Sequence, residues 1–122
     1  MSYAIYPSKN KKYIELKHWG EMNSELGMTR VLEAHKLGEE IGINRYLVDL
    51  TEAVNIDPAY KSYKYAYEDM QTPSGINRNV RVAMLVSADD HTHDFVETVL
   101  RNAGHNVVLF RDRDSAIQHL LK

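Results

Sequence analysis

One short run of the sequence concentrates the side chains that could bind a metal ion. It extends from Asp89 to Asp94 and reads DDHTHD. Neutral imidazoles and carboxylates are good ligands for zinc and other divalent ions, which makes His91, His93 and Asp94 the metal-ligand candidates. A polar loop that caps the following helix has the same composition. The capping interpretation is favoured, because a metal site usually needs a further ligand from another element, and the sequence places none there.

Helical spacing puts four large side chains on one face of a predicted helix. They are Tyr60, Tyr63, Tyr67 and Met70, at positions i, i+3, i+7 and i+10. A tyrosine combines a large apolar ring with a polar tip, which suits a protein interface or a cavity for an amphipathic ligand. Ordinary packing on a sheet explains the same pattern and is the favoured interpretation. The interface and the cavity remain open as alternatives.

The sequence lacks the motifs of common catalytic sites. It has no Gly-x-Ser-x-Gly elbow, no phosphate-binding loop and no Gly-x-Gly-x-x-Gly fingerprint. The absence of cysteine excludes disulfides and thiolate chemistry. The formal net charge of -2, from 15 basic and 17 acidic side chains, does not favour nucleic-acid binding. We therefore expect a protein that is not an enzyme and has neither a cofactor nor a nucleic-acid partner.

Length and hydropathy predict one cytoplasmic domain over residues 1–122. A chain of 122 residues has the usual size of a single domain, and no linker or repeat divides it. No apolar run approaches the ~20 residues that span a bilayer. The first residues lack the charged start and apolar core of a signal peptide.

The elements that must position these side chains follow from hydrophobic periodicity. The predicted strands are Tyr3 to Tyr6, Tyr13 to His18, Tyr46 to Leu50, Val80 to Val86 and Asn106 to Phe110. The predicted helices run from Asn23 to Ile41, from Asp57 to Met70, from near Thr92, and from Asp112 or Asp114. A hairpin followed by alternating units predicts an α/β fold with a mixed five-stranded sheet and four helices.

Glycines and polar residues mark the ends of the first helix. Asn23 or Ser24 is expected to cap its first turn, and Gly42 to end it. Gly27 and Gly38 cost helix stability relative to alanine, so we expect them to let the helix backbone approach the sheet closely.

Three stretches in this order resemble the STAS (anti-sigma-factor antagonist, SpoIIAA-like) family. They are Tyr46 to Thr51, Val80 to Val86, and Val107 to Leu120, the last with Phe110-Arg111-Asp112. The chain is most similar to small bacterial STAS/Sec14-like proteins, which mostly lack an assigned activity. The resemblance covers nearly the whole chain and implies a SpoIIAA-like fold.

The resemblance breaks at the family's regulatory loop. In regulatory members the loop after the third strand ends in aspartate followed by a serine that a partner kinase phosphorylates. Here Asp57 matches the aspartate, but Pro58 and Ala59 stand where the serines would be. Neither side chain can accept a phosphate. The resemblance therefore implies binding without the phosphoserine switch.

Ligands of alternating α/β sheets usually meet the loops at the carboxyl ends of the strands. The candidate ligand-binding or partner-binding residues there are Asp49, Thr51, Asn55, Asp57 and Ser87, together with the tyrosine-rich helix. The sequence thus predicts a non-catalytic regulatory or protein-interaction module of STAS type, with a protein partner or a second copy of the chain. The alternative is a protein that binds a small apolar, lipid-like molecule in a cavity under the tyrosine-rich helix.

Overall fold

The sheet has five strands that follow one another in space as they do in sequence. The computed structural model of the chain describes residues 3–58, 61, 64 and 79–122. The strands are β1 (Tyr3–Pro7), β2 (Ile14–Met22), β3 (Arg45–Asn55), β4 (Arg81–Leu85) and β5 (Val107–Phe110). Strands β1 and β2 pair antiparallel, and β2 to β5 pair parallel, so the sheet is mixed as predicted.

Three helices lie in the described part of the chain: α1 (Ser24–Ile41), α2 (Asp94–Asn102) and α3 (Arg113–Leu120). The prediction of four helices is therefore not met there. The predicted helix from Asp57 to Met70 falls mostly outside the described residues, although Lys61 and Lys64 have helical backbone. Tyr60, Tyr63, Tyr67 and Met70 all lie outside the described residues, so their predicted roles stay predictions.

Helices cover both faces of the sheet. On one face, Leu50 and Met84 from the strands pack with residues of α1 and α2, including Val31 and Val99. On the other face, Leu47, Ala83 and Leu85 pack against Ala116 and Leu120 of α3. The central strands are buried on both sides, which explains why their sequences read as nearly continuous apolar runs.

The predicted ends of α1 are confirmed. The Asn23 side chain accepts a hydrogen bond of 2.9 Å from the backbone N–H of Leu26, which caps the first turn. Gly42 has φ 76°, a left-handed conformation that glycine adopts without strain, and its N–H donates to the carbonyl of Gly38.

Gly38 allows α1 to approach β3 closely, as predicted. A Cβ atom built on Gly38 would lie 1.9 Å from the hydroxyl oxygen of Tyr46 and 2.6 Å from the carbonyl oxygen of Ile43. The buried ring of Tyr46 therefore occupies the space that any other residue at position 38 would need.

Strands β2 and β3 are longer than the sequence predicts. We expected them to end at His18 and Leu50, but they reach Met22 and Asn55. Their register shifts between Lys17 and Trp19 and then continues to the last pair. Polar residues and Gly20 break the apolar–polar alternation in these extensions. The pairing between the two strands stabilises the extended conformation that the local sequence does not predict. The extension carries Asn55 and Asp57 beyond the ends of β4 and β5.

Candidate functional site

A cavity of about 130 Å³ lies between one face of the sheet and the helices α1 and α2. Its walls are mainly aliphatic. Strands β2 to β4 contribute Leu16, Val48, Leu50, Val82 and Met84, and the helices contribute Val31, Ala34, Val96 and Leu100. It extends from Asn23 and Asp57, beyond the carboxyl ends of the strands, to Tyr46 and Asn106 at the opposite edge.

Four of the six histidines of the chain are buried, and all four border this cavity: His18, His35, His93 and His105. The sequence predicted a buried role only for His35. That ring packs against Tyr46 with centroids 4.8 Å apart, and its burial lowers its pKa. The concentration of imidazoles gives an otherwise apolar cavity a few fixed polar atoms, which is typical of ligand sites.

His18 is held by a buried arginine. Arg30 Nη1 donates hydrogen bonds of 2.9 Å to His18 Nδ1 and of 2.9 Å to the sulfur of Met22. The Arg30 guanidinium also lies over the ring of Tyr3, 4.6 Å from its centroid. Burial, and then the positive charge of Arg30, lowers the pKa of His18 to about 4. The ring of His18 is therefore neutral near pH 7.

His93 comes directly before α2 and points back into the sheet. Its Nε2 lies 3.1 Å from the carbonyl oxygen of Ala53 and 3.5 Å from Asp90 Oδ2. Asp90 is in turn held by Thr92, whose backbone N–H and hydroxyl both donate to Asp90 Oδ1. Partial burial raises the pKa of Asp90, but the two bonds from Thr92 and the charges of His93 and Arg111 together outweigh it, so the pKa lies below its usual value. The loop thus fixes the orientation of the His93 ring.

Polar side chains line the cavity at the carboxyl ends of β2 and β3. Asp57 Oδ2 accepts a hydrogen bond of 2.6 Å from the backbone N–H of Ser24. Asn55 accepts a hydrogen bond from the N–H of Asp57 and bonds the Thr92 loop through its own N–H and its amide nitrogen. Asp57 was predicted to cap the helix that follows it. The carboxylate bonds the start of α1, because the extended β3 brings this loop beside that helix, while the first turn of the helix predicted after Asp57 lies mostly outside the described residues.

The predicted binding residues divide into two groups. Asn55 and Asp57 border the cavity. Asp49, Thr51 and Ser87 form a separate network, because the Thr51 hydroxyl donates to Asp49 Oδ1 over 2.7 Å and the Ser87 hydroxyl donates to the Thr51 carbonyl over 2.6 Å. The five residues were predicted together because all lie near the carboxyl ends of strands. Successive side chains of β3 point to opposite faces of the sheet, however, and Asp49 points to the face that carries α3.

Charged side chains surround Asp49 on that second face. The buried carboxylates of Glu15 and Asp49 lie beneath Arg113, which donates to both oxygens of Glu15 and lies 3.7 Å from Asp49 Oδ2. Lys17 Nζ lies 3.7 Å from Asp49 and 3.0 Å from Glu52. Each buried carboxylate therefore has a basic partner, and the ion pairs join β2, β3 and α3.

The candidate metal ligands do not converge. His91 is largely exposed, and its Nδ1 lies 2.8 Å from Asp94 Oδ2 and 3.1 Å from Arg111 Nη2. His93 is buried on the cavity side of the loop. Within the described residues, no group of three or more His, Asp or Glu side chains is arranged to hold a metal ion. The interpretation of this loop as a cap is also wrong, because the N-cap residue His93 makes no capping hydrogen bond and Asp90 bonds Thr92 rather than the first turn of α2.

Arg111 stabilises the same loop from β5. Its guanidinium donates to the carbonyls of Ser87 and Asp90, each over 2.7 Å, and to Asp94 Oδ1 over 2.9 Å. The position of Arg111 directly after a strand is visible in the sequence, but the partners are not. Arg30, His18 and His105 could not be identified from the sequence either, because no local pattern indicates that they are buried.

The element order and pairing define a SpoIIAA-like α/β domain. Among solved structures, the chain is similar to an uncharacterised protein from the DUF3478 family with a SpoIIAA-like fold, from Shewanella loihica PV-4. The two sequences are 19% identical, and the match covers 97% of this chain and 91% of that chain with a TM-score of 0.53. The likeness confirms the fold that the sequence predicted.

Other comparisons add no further assignment. Neither protein-family models nor curated proteins match the sequence. None of the helices in the described ranges is long and apolar enough to cross a membrane.

Proposed function

We propose that this chain is a non-catalytic binding module of STAS type whose cavity holds a small, mainly apolar molecule. The observation that carries the proposal is the cavity of about 130 Å³ with mainly aliphatic walls. An apolar cavity of roughly this size remains dry and accepts a molecule as large as benzene. The expected ligand is therefore a small ring or a short branched chain. This restricts the class of apolar, lipid-like ligands predicted from the sequence to its smallest members.

The energetics of packing support a ligand. An unfilled cavity costs about 24 cal/mol for each Å³, so the volume of about 130 Å³ corresponds to about 3 kcal/mol of lost packing. A molecule that fills the space recovers part of this free energy, and binding to the folded state alone stabilises the protein. The tyrosine-rich helix predicted between β3 and β4 remains a further candidate for the wall.

The proposal includes the absence of a phosphoserine switch. Pro58 and Ala59 stand at the family's serine positions, and the adjacent Asp57 is engaged with the N–H of Ser24. After incubation with STAS kinases, we expect mass spectrometry to find no phosphate on residues 57–62. Stoichiometric phosphate there would contradict this part of the proposal.

A protein-interaction role is the second candidate, and exposed apolar side chains favour it. The exposed side chains are Val54 near the end of β3, Ile56 just after it, Leu26 in the first turn of α1 and Phe95 in the first turn of α2. All four lie toward the carboxyl ends of the strands, where the sequence predicts a partner or a second copy of the chain. Sedimentation of the wild type and of Ile56→Ser tests self-association through this end.

Toluene, a ring of suitable size, tests the cavity directly. We expect it to raise the midpoint of thermal unfolding and to shift the amide NMR signals of residues along the cavity. Val48→Phe fills the cavity from β3 and should abolish both effects. Val108→Phe is the matched control, because Val108 aligns with Ala83 and faces away from the cavity.

The two variants separate filling of the cavity from general damage. If toluene has no effect on the wild type, or acts equally on Val48→Phe, the cavity does not bind such molecules and the proposal is wrong. If Val108→Phe loses the response as completely as Val48→Phe, the response does not come from the cavity.

A further inference from the structure

The hydrogen bond from Arg30 fixes the proton position on His18. A guanidinium donates and never accepts, so the Nδ1 that it bonds at 2.9 Å carries the lone pair. The neutral ring must then carry its hydrogen on Nε2. His18 is 2% exposed, and its Nε2 makes no hydrogen bond with any described residue. The buried ring of His18, which lines the cavity, therefore carries an N–H donor without a partner among the described residues.

His93 has the opposite arrangement. A carbonyl oxygen accepts and never donates, so the His93 nitrogen that lies 3.1 Å from the Ala53 carbonyl carries the hydrogen. In the neutral ring, Nδ1 then carries the lone pair. His93 is 3% exposed, and within the described part of the chain its Nδ1 makes no hydrogen bond. This nitrogen is an acceptor on a buried ring that lines the same cavity.

The two rings act on the same region of the cavity. Both border it, and His93 bonds the carbonyl of Ala53, which pairs with Gly20 of β2, two residues after His18. Buried polar atoms in proteins are nearly always hydrogen-bonded, by protein, water or ligand. His18 Nε2 and His93 Nδ1 offer a donor and an acceptor on two rings that line a mainly apolar cavity, and a ligand that presents the complementary pair would satisfy both.

We propose that the cavity recognises a small neutral amide or lactam, whose carbonyl accepts from His18 Nε2 and whose N–H donates to His93 Nδ1. This inference rests on the proposed function, that the cavity holds a small molecule. A carboxylate offers no donor to His93, and an ammonium offers no acceptor to His18. The nearby guanidinium of Arg30 further disfavours a cationic ligand.

Three probes of similar size dissect the recognition. 2-Pyridone has both a carbonyl and an N–H, N-methyl-2-pyridone keeps only the carbonyl, and toluene has neither. We expect wild-type protein at pH 8 to bind 2-pyridone roughly tenfold more tightly than N-methyl-2-pyridone, because one buried acceptor loses its partner. Affinities are measured by NMR titration.

Two variants remove the cavity-facing nitrogens while they keep the structural hydrogen bonds. In His18→Asn, the side-chain oxygen can accept from Arg30 in place of Nδ1, and nothing replaces Nε2. In His93→Gln, the side-chain nitrogen can donate to Ala53, and nothing replaces Nδ1. His18→Asn should weaken both pyridones roughly tenfold, and His93→Gln should weaken 2-pyridone alone. Neither should change toluene binding.

A measurement on the wild-type protein tests the proposal even if one of the variants does not fold. Nitrogen-15 spectra of the histidine rings should show the hydrogen on Nε2 of both rings, and 2-pyridone should shift His18 Nε2 and His93 Nδ1. If toluene binds but 2-pyridone moves neither nitrogen, or binds as well after both substitutions, the amide inference is wrong and the cavity function stands. If no probe binds, the proposed function itself fails.

Discussion

The carboxylate of Asp57 accepts a hydrogen bond of 2.6 Å from the backbone N–H of Ser24, the first residue of α1. The first N–H groups of a helix have no partner within the helix, and the positive end of its dipole favours a negative charge. Asp57 supplies both the acceptor and the charge. One side chain thus ties the loop after β3 to α1 at the end of the cavity.

Loss of this carboxylate should loosen α1. We expect Asp57→Ala to lower the free energy of unfolding by about 1–2 kcal/mol, the usual cost of a lost cap with its charge. Urea denaturation measures the change. Asp89→Ala is the control, because Asp89 is an exposed loop acid without a hydrogen bond in the described structure. Equal losses in both variants would show that the contact with Ser24 contributes nothing.

Gly38→Ala should destabilise the protein although alanine is the better helix former. The added Cβ meets Tyr46 Oη at 1.9 Å and the Ile43 carbonyl at 2.6 Å, and the second atom belongs to the backbone. Overpacking of this kind costs about 1–3 kcal/mol. Adding Tyr46→Phe removes only the hydroxyl contact and should restore part of the loss. A gain in thermal midpoint for Gly38→Ala would contradict the close approach.

Local features of the fold were predictable from the sequence. Asn23, Gly42 and Asp112 act within a few residues of their own position, so these three helix ends could be assigned from neighbouring residues in the sequence. Gly38 was assigned correctly for a similar reason, since a glycine inside an apolar helical stripe indicates close packing. The alternation of elements then determined the class of sheet.

Features that depend on distant partners were not predictable. The last residues of β2 and β3 are in strand conformation because the two strands pair with each other. Neither segment shows a strong alternation of apolar and polar residues. Asp57 bonds α1 across 33 residues of sequence, and Arg113 bonds Glu15 across 98. Two of the predicted strand-end residues, Asn55 and Asp57, border the cavity, but the buried histidines that line it along the sheet face give no local signal.

The ion pair between Arg113 and Glu15 should stabilise the face that carries α3. Arg113→Met leaves the buried carboxylates of Glu15 and Asp49 with fewer partners. Because the Arg113 side chain is 46% exposed, water compensates in part, and we expect a loss of about 1–2 kcal/mol. The double variant Glu15→Met with Arg113→Met should recover most of it. If the double variant loses the sum of the two single losses, the pair has no coupling.

His18 should make the stability of the protein depend on pH between about 4 and 6.5. Burial, and then the charges of Arg30 and His93, lowers the pKa of His18 to about 4, while Asp49 acts in the opposite direction. The unfolded chain takes up this proton below about 6.5, so it binds more protons than the folded chain in this window. Stability is therefore fully present above pH 6.5 and falls as the pH drops towards 4, by at most about 3 kcal/mol for this group.

The contribution of His18 is separable from that of the other histidines. The pKa values of His35 and His119 are also lowered, so they add to the same trend. Urea denaturation at a series of pH values should give a flatter profile for His18→Asn than for the wild type. Met22→Leu is the matched control, because it removes the other acceptor of Arg30 Nη1 but no titrating group. An unchanged profile in His18→Asn would mean that this ring takes up its proton equally in the folded and unfolded chains.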